Sequence, residues 1–146
     1  MIAIKKAGCE DLDELAVLFD AYRQFYKQET DVAAAKEFLE QRLLANESMI
    51  FMALENNKAV GFTQLYPIFT SVGLQRCWLL NDLFINEPAR KKGIASLLLN
   101  AAKEHGKNTG SKWLLLETAI DNYSAQALYE KNGWEKTEDI FYQYNL

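Results

Sequence analysis

The stretch from Leu79 to Gly110, LLNDLFINEPARKKGIASLLLNAAKEHGKNTG, constrains the fold more than any other. An alternating apolar run, Leu79–Ile85, is broken by Asn86-Glu87-Pro88. Arg90-Lys91-Lys92-Gly93-Ile94-Ala95 follows, and then apolar residues at helical spacing: Ile94, Leu97, Leu98, Ala101 and His105. The pattern predicts a strand, a tight basic turn and a helix. The first N–H groups of a helix have no intrahelical acceptor, and the helix start carries about half a positive charge. Gly93 permits close backbone approach, Ala95 and Ser96 are small, and three basic side chains add charge. The segment is a candidate pyrophosphate cradle. It is neither G-x-x-x-x-G-K-[ST] nor G-x-G-x-x-G, which occur nowhere in the chain. Taken alone, a solvated basic turn before a helix explains it equally well.

The rest of the sequence supplies context. A chain of 146 residues predicts a single domain, 1–146, with a sizeable core. No apolar run reaches the roughly 20 residues that span a bilayer, and Met1–Lys6 reads as a first strand rather than a leader. Cys9 and Cys77 form neither a disulfide framework nor a metal spacing, so the expectation is a reduced, cytoplasmic protein without a metal. The net charge of −4 argues against nucleic acid as a general partner, and makes Arg90-Lys91-Lys92 locally anomalous.

In chain order, Ile2–Lys5 predicts a strand. Asp11 followed by Glu14 predicts a capping-box start to a helix with the stripe Leu12, Leu15, Phe19, Tyr22 and Tyr26. Asp31 predicts the cap of a second helix running to Leu44. Seven carboxylates lie between Glu10 and Asp31 (Glu10, Asp11, Asp13, Glu14, Asp20, Glu29, Asp31). They form either a solvated face or an acidic rim for a cationic substrate. Met49–Leu54 and Ala59–Tyr66 predict an antiparallel hairpin across Glu55-Asn56-Asn57-Lys58, with a loop from Pro67 to Gly73. Lys112–Thr118 (KWLLLET) reads as a strand buried on both faces, parallel to Leu79–Ile85 because a helix connects them. Asp121-Asn122 starts a last helix, which Asn132-Gly133 ends, and Trp134–Leu146 predicts a final strand. The order is β-α-α-β-β-β-α-β-α-β, a mixed α/β architecture.

Asn122 and Tyr129 lie seven residues apart on one predicted helix and so share a face about 10 Å apart. Asn122 can bond an amide-bearing chain, and Tyr129 can exchange a proton. Taken individually, an N-cap and a core aromatic explain them as well. Together with LNDLFI, RKKGIA, KWLLLET and NYSAQALYEKNGW in this order, however, they resemble the GNAT superfamily of acyl-CoA-dependent N-acyltransferases, above all in Asn122, Ala125, Leu128, Tyr129, Gly133 and Trp134.

The resemblance implies a GNAT-type sheet, mostly antiparallel with a central parallel strand pair. It implies acetyl-CoA as co-substrate, lying in a split between strands ending near Ile85 and Thr118. Leu83, Phe84 and Ile85 would pair with the pantetheine, and Asn122 would hold its arm. Arg90, Lys91, Lys92, Gly93, Ile94, Ala95 and Ser96 would hold the pyrophosphate. Tyr129, also counted among the cofactor contacts, would protonate the departing thiolate. Asn81, Tyr22 and Tyr26 would meet the acceptor, a primary amine expected to be small and cationic. A base is needed, because an alkylamine has a pKa of about 10.4.

LNDLF is similar to the spermidine/spermine-type branch, which usually has Glu where this chain has Asn81. Asp82 is then the candidate base. Neighbouring strand residues point to opposite faces, so Asp82 replaces that Glu only if a bulge intervenes. Glu117 is a second candidate, and His105 reads as structural. A non-catalytic acyl-CoA-binding module and a protein-lysine acetyltransferase remain alternatives. The resemblance also allows a homodimer joined through the aromatic C-terminal run.

Overall fold

The computed structural model describes residues 1–146. A five-stranded sheet forms the middle layer, in the spatial order β1 (Ile2–Lys6), β2 (Met49–Glu55), β3 (Lys58–Thr70), β4 (Gln75–Ile85), β5 (Leu114–Leu115). Every neighbouring pair is antiparallel except β4 with β5, which is parallel. Helices α1 (Leu12–Phe25) and α2 (Val32–Leu44) cover one face. There Leu15, Phe19 and Leu39 pack on Ile50, Met52, Phe62 and Phe84. Helix α3 (Ile94–Asn108) covers the other, setting Leu98 and Leu99 against Ala53, Leu65 and Leu80. Each fully buried Leu or Phe contributes about 1.5–3 kcal/mol. Helix α4 (Tyr123–Lys131) is tied to α3 through Asn132, which donates to Ser96 Oγ at 3.1 Å and accepts from Lys103 Nζ at 2.8 Å.

Local chemistry explains most boundaries. Asp31 caps α2, accepting the Ala34 N–H at 3.0 Å. Asn56 and Asn57 both have positive φ (51° and 65°), as a two-residue hairpin turn requires.

Four expectations are corrected. The Asp11–Glu14 capping box does not form: Glu14 instead accepts the Ala59 N–H, and Asp11 takes the Gly8 N–H and Lys5. Pro67–Gly73 is not all loop, because β3 continues to Thr70. Pairing with β2 ends at Leu65, so that edge of β3 is open where Pro67 brings no N–H. Lys112–Thr118 forms only a two-residue strand, none of it fully buried. The segment Trp134–Leu146 makes no strand: beyond the Trp134 N–H, which donates to Tyr129 O at 3.0 Å, its main chain makes no hydrogen bond within the chain.

Candidate active site

A one-residue irregularity in β4 organises the site. Gln64 pairs with Asp82 and the next residue, Leu65, with Leu80, so Asn81 is an extra residue. This is a β-bulge, and it inverts the alternation that follows. Before it, Trp78 and Leu80 pack on the α3 side. After it, Leu83 takes that side, and Phe84 joins the α1 cluster. Asp82 is thereby turned towards α1, where it meets Tyr22.

Asp82 is 3 % exposed. Its carboxylate accepts from Gln64 Nε2 and from Asn81 Nδ2, the latter at 3.0 Å. Gln64 is oriented in turn by Ser48, whose Oγ donates to Gln64 Oε1 at 2.7 Å. Burial raises the Asp82 pKa above the ordinary carboxylate value, and hydrogen bonds from Gln64, Tyr22 and Asn81 partly oppose it. Tyr22 and Tyr66 are pushed well above the usual phenol value, first by burial and then by the negative charge of Asp82. Tyr129 is raised by burial and by the neighbouring Tyr26. Tyr22 and Tyr26 stand edge to face at 5.1 Å. The structure therefore brings Tyr22, Tyr26, Asn81 and Asp82 together, while Tyr129 packs beside Trp134 against the cluster of Leu65, Leu80 and Leu99.

Beside this cluster the sheet splits. Strands β4 and β5 pair only at Trp78–Leu114 and Leu79–Leu115. From Leu80 to Ile85, including Leu83, Phe84 and Ile85, one edge of β4 faces no strand. At the foot of the split the N–H groups of Lys91, Lys92 and Gly93 have no main-chain acceptor, and those of Ile94, Ala95 and Ser96 begin α3. Gly93 adopts φ +77°, and nothing lies within 4 Å of where a Cβ would stand. The glycine is thus required by conformation rather than by crowding from the protein itself.

The three basic side chains differ in their partners. Lys92 pairs with Glu55 at 2.7 Å. Arg90 donates to Ile85 O at 2.9 Å and lies over Phe25 and Phe84. Lys91 makes no ion pair.

Other expected residues fall less simply. Asn122 caps α4 through its oxygen, accepting the Ala125 N–H at 3.1 Å, which leaves its amide donors free. Glu117 lines a cavity beyond β5, away from Asp82. His105 lies between Trp78 (4.7 Å) and Phe51 (5.8 Å), outside the site, and burial lowers its pKa.

Most of the acidic residues expected as a rim have partners within the chain. Asp11 pairs with Lys5 and Asp13 with Lys36, while Glu14 holds Ala59. Buried Asp20 binds Thr30 and the Asp31 N–H, and Asp31 caps α2. Five of the seven carboxylates are engaged in the fold.

Sequence reasoning missed Gln64 and Ser48. A polar Gln sharing strand parity with Phe62 and Tyr66 was the available signal.

An open-edged split over a helix start with unpaired N–H groups fits a long, amide-rich ligand ending in phosphates. Comparison with known proteins gives the class. Residues 13–134 match the model of the Acetyltransferase (GNAT) family. YhfO of Bacillus subtilis, described as an uncharacterized N-acetyltransferase, is 46% identical over 133 residues, covering 91% of this chain and 89% of its own length. A probable acetyltransferase of Haemophilus influenzae is 40% identical over 131 residues, covering 89% and 88%. A crystal structure of a probable acetyltransferase superposes with a TM-score of 0.91 at 39% identity, covering 99% and 96% of the two chains. The chain belongs to the GNAT acetyltransferase family. It is an acetyl-CoA-dependent acetyltransferase with the mixed α/β fold of that family.

Proposed function

We propose that the protein transfers the acetyl group of acetyl-CoA to a small cationic primary amine, with Asp82 as general base and Tyr129 as general acid. The observation that carries this reading is the buried Asp82 carboxylate, turned by the Asn81 bulge towards Tyr22 beside the open edge of β4. Acetyl-CoA supplies the acyl group as a thioester. The unpaired N–H groups of Lys91 to Ser96 suit its pyrophosphate, with Lys91 the basic side chain left free. The β4 edge at Leu83, Phe84 and Ile85 suits its amide arm, as do the free donors of Asn122. Asp82, acting directly or through water, removes one proton from the acceptor ammonium, and the freed amine attacks the carbonyl carbon. The carbon–sulfur bond breaks, and Tyr129 protonates the departing sulfur. The nitrogen, left cationic by the attack, gives up its second proton to solvent as the amide forms; Tyr129 recovers one proton from solvent and Asp82 returns the first to it, so each turnover of an ammonium releases one proton.

The raised pKa of Asp82 favours a base, because a carboxylate closer to neutrality in pKa accepts a proton more readily. The faces of Tyr22 and Tyr26 suit a cation. With most of the acidic rim engaged in the fold, the preference for a cationic amine rests on Asp82, these rings and the net charge of −4. The similarity of LNDLF to the spermidine/spermine-type branch points the same way.

The test is kcat/KM, followed by thiol release, over a panel of polyamines, aminoglycosides, amino acids and a lysine-rich peptide at two ionic strengths. Cationic small amines should lead, and their advantage should shrink with salt. A neutral or acidic amine as best acceptor defeats the acceptor assignment.

A further inference from the structure

Helix α4 carries Tyr129 but buries none of its residues completely. Its half-buried Leu128 and Tyr129 lie against the cluster of Leu65, Leu80 and Leu99. Apolar contact of this kind is non-directional, so it holds the helix to the sheet without fixing where along α3 the helix stops. The directional contacts are gathered at one residue. Asn132, the C-terminal cap of α4, donates from Nδ2 to Leu128 O at 2.8 Å in its own helix and to Ser96 Oγ at 3.1 Å in the first turn of α3. Its carbonyl accepts from Lys103 Nζ at 2.8 Å. Its own N–H and that of Trp134 both close on Tyr129 O at 3.0 Å. The other side-chain hydrogen bonds of α4 and its N-cap, those of Asn122 and Gln126, stay within residues 119–126. Only the Ser96 and Lys103 bonds reach another element.

The anchor on the far side matters as much. Ser96 belongs to the run whose N–H groups suit a pyrophosphate. The bond from Asn132 therefore refers the helix of Tyr129 to the same turn that would hold the phosphate end of the cofactor.

We propose, taking Tyr129 as the general acid described above, that Asn132 is its positioning residue: by holding α4 to Ser96 it sets how far the phenol stands from the cradle, and so from the sulfur of a thioester anchored there. Proton transfer requires donor and acceptor within about 2.6–3.2 Å. A misplacement of about 1 Å costs about 10²-fold in rate, so a tie that fixes the register of α4 acts on turnover more than on cofactor affinity.

The test uses the full chain, acetyl-CoA and whichever acceptor of the panel above gives the highest kcat/KM. Asn132→Ala removes both side-chain donors and keeps the carbonyl for Lys103. Its kcat should fall by about 10–100-fold, with the Kd for CoA, measured by calorimetry, little changed. In a Tyr129→Phe background the same substitution should lower kcat no further, because residues that act as one unit are not additive. A merely structural Asn132 would lower turnover by the same factor in both backgrounds. Ser96→Ala keeps the N–H and removes the acceptor, and it should repeat the pattern: slower with Tyr129 present, no slower with Phe in its place. That pair of measurements carries the test where Asn132→Ala does not fold. Wild-type turnover in Asn132→Ala, or an undiminished loss in the Tyr129→Phe background, overturns the positioning role and leaves the acid assignment standing. Wild-type turnover in Tyr129→Phe alone overturns the acid assignment and the positioning role together.

Discussion

The chain up to Gly106 and the chain beyond it are built on different terms. Every fully buried residue lies at or before Gly106, and none lies in the forty that follow. Yet the later part holds Asn122 and Tyr129, two of the residues proposed to meet acetyl-CoA. The first part is held by its own packing, with Phe62, Leu65, Leu98 and Leu99 excluded from water. The second rests on a two-residue strand and on helix caps, with Leu114, Leu116, Leu128, Tyr129 and Trp134 half-buried against the α3 cluster and Ile120, Tyr123 and the apolar residues of 140–146 exposed. Packing is concentrated before Gly106, whereas the proposed acid Tyr129 lies beyond it, and substitutions should separate the two experimentally.

The sharpest separation comes from Phe62, fully buried in the α1 cluster. Phe62→Ala should lower unfolding free energy by about 3–5 kcal/mol in urea titration. A cost below 1 kcal/mol would erase the contrast. The mirror image is Tyr129→Phe, which keeps the ring and removes one proton. The turnover number should fall by roughly 10²–10⁴-fold, with the melting temperature and acetyl-CoA binding little changed. Normal turnover would make Tyr129 a packing residue like those before Gly106.

Gly93 lies in the first part, at the start of α3. Wild-type protein should melt at higher temperature with CoA present. Gly93→Asp adds a negative charge beside the unpaired N–H groups and a side chain at φ +77°, so that shift should vanish. A full shift in the variant would remove the cradle from this loop.

The smallest effect concerns pH. As the proposed base Asp82 must be ionised, and its raised pKa should place the acid limb of kcat/KM above the ordinary carboxylate range. The Gln64 hydrogen bond favours the ionised form. Gln64→Leu therefore raises the Asp82 pKa further, and the acid limb should move up by about one pH unit, equivalent to about 1.4 kcal/mol. Asp82→Asn should abolish that limb. A limb that persists in Asp82→Asn sinks the base assignment, whereas one unmoved in Gln64→Leu alone sinks only the role of Gln64.

Periodicity made the β4–α3 unit, the two N-terminal helices and the hairpin legible, because each buries one face whose spacing is written in the chain. The bulge was not legible, since it is a mismatch of register between Gln64-Leu65 and Leu80–Asp82 and belongs to two strands at once. The partners of the acidic residues were hidden for a related reason. Charge counts along α1 do not reveal that Lys5, Lys36, Ala59 and Thr30 hold those carboxylates. KWLLLET and Trp134–Leu146 looked like full strands because their residues favour extended backbone. A strand also needs a neighbouring edge, and composition is silent on that.

The Asn81 bulge also bears on how such a protein can change over time. Because side chains alternate along a strand, pairing Asn81 in a regular ladder would carry Asp82 to the face of Leu80, whereas removing Asn81 would make Leu80 and Asp82 neighbours and leave the carboxylate turned towards Tyr22, without the Asn81 Nδ2 hydrogen bond. The register of β4 is therefore as much an inherited trait as the identity of the carboxylate. Lineages that lose this one residue would keep the group at Asp82 on the same face. A comparison of relatives that reads a gap here as loss of the site would misjudge them.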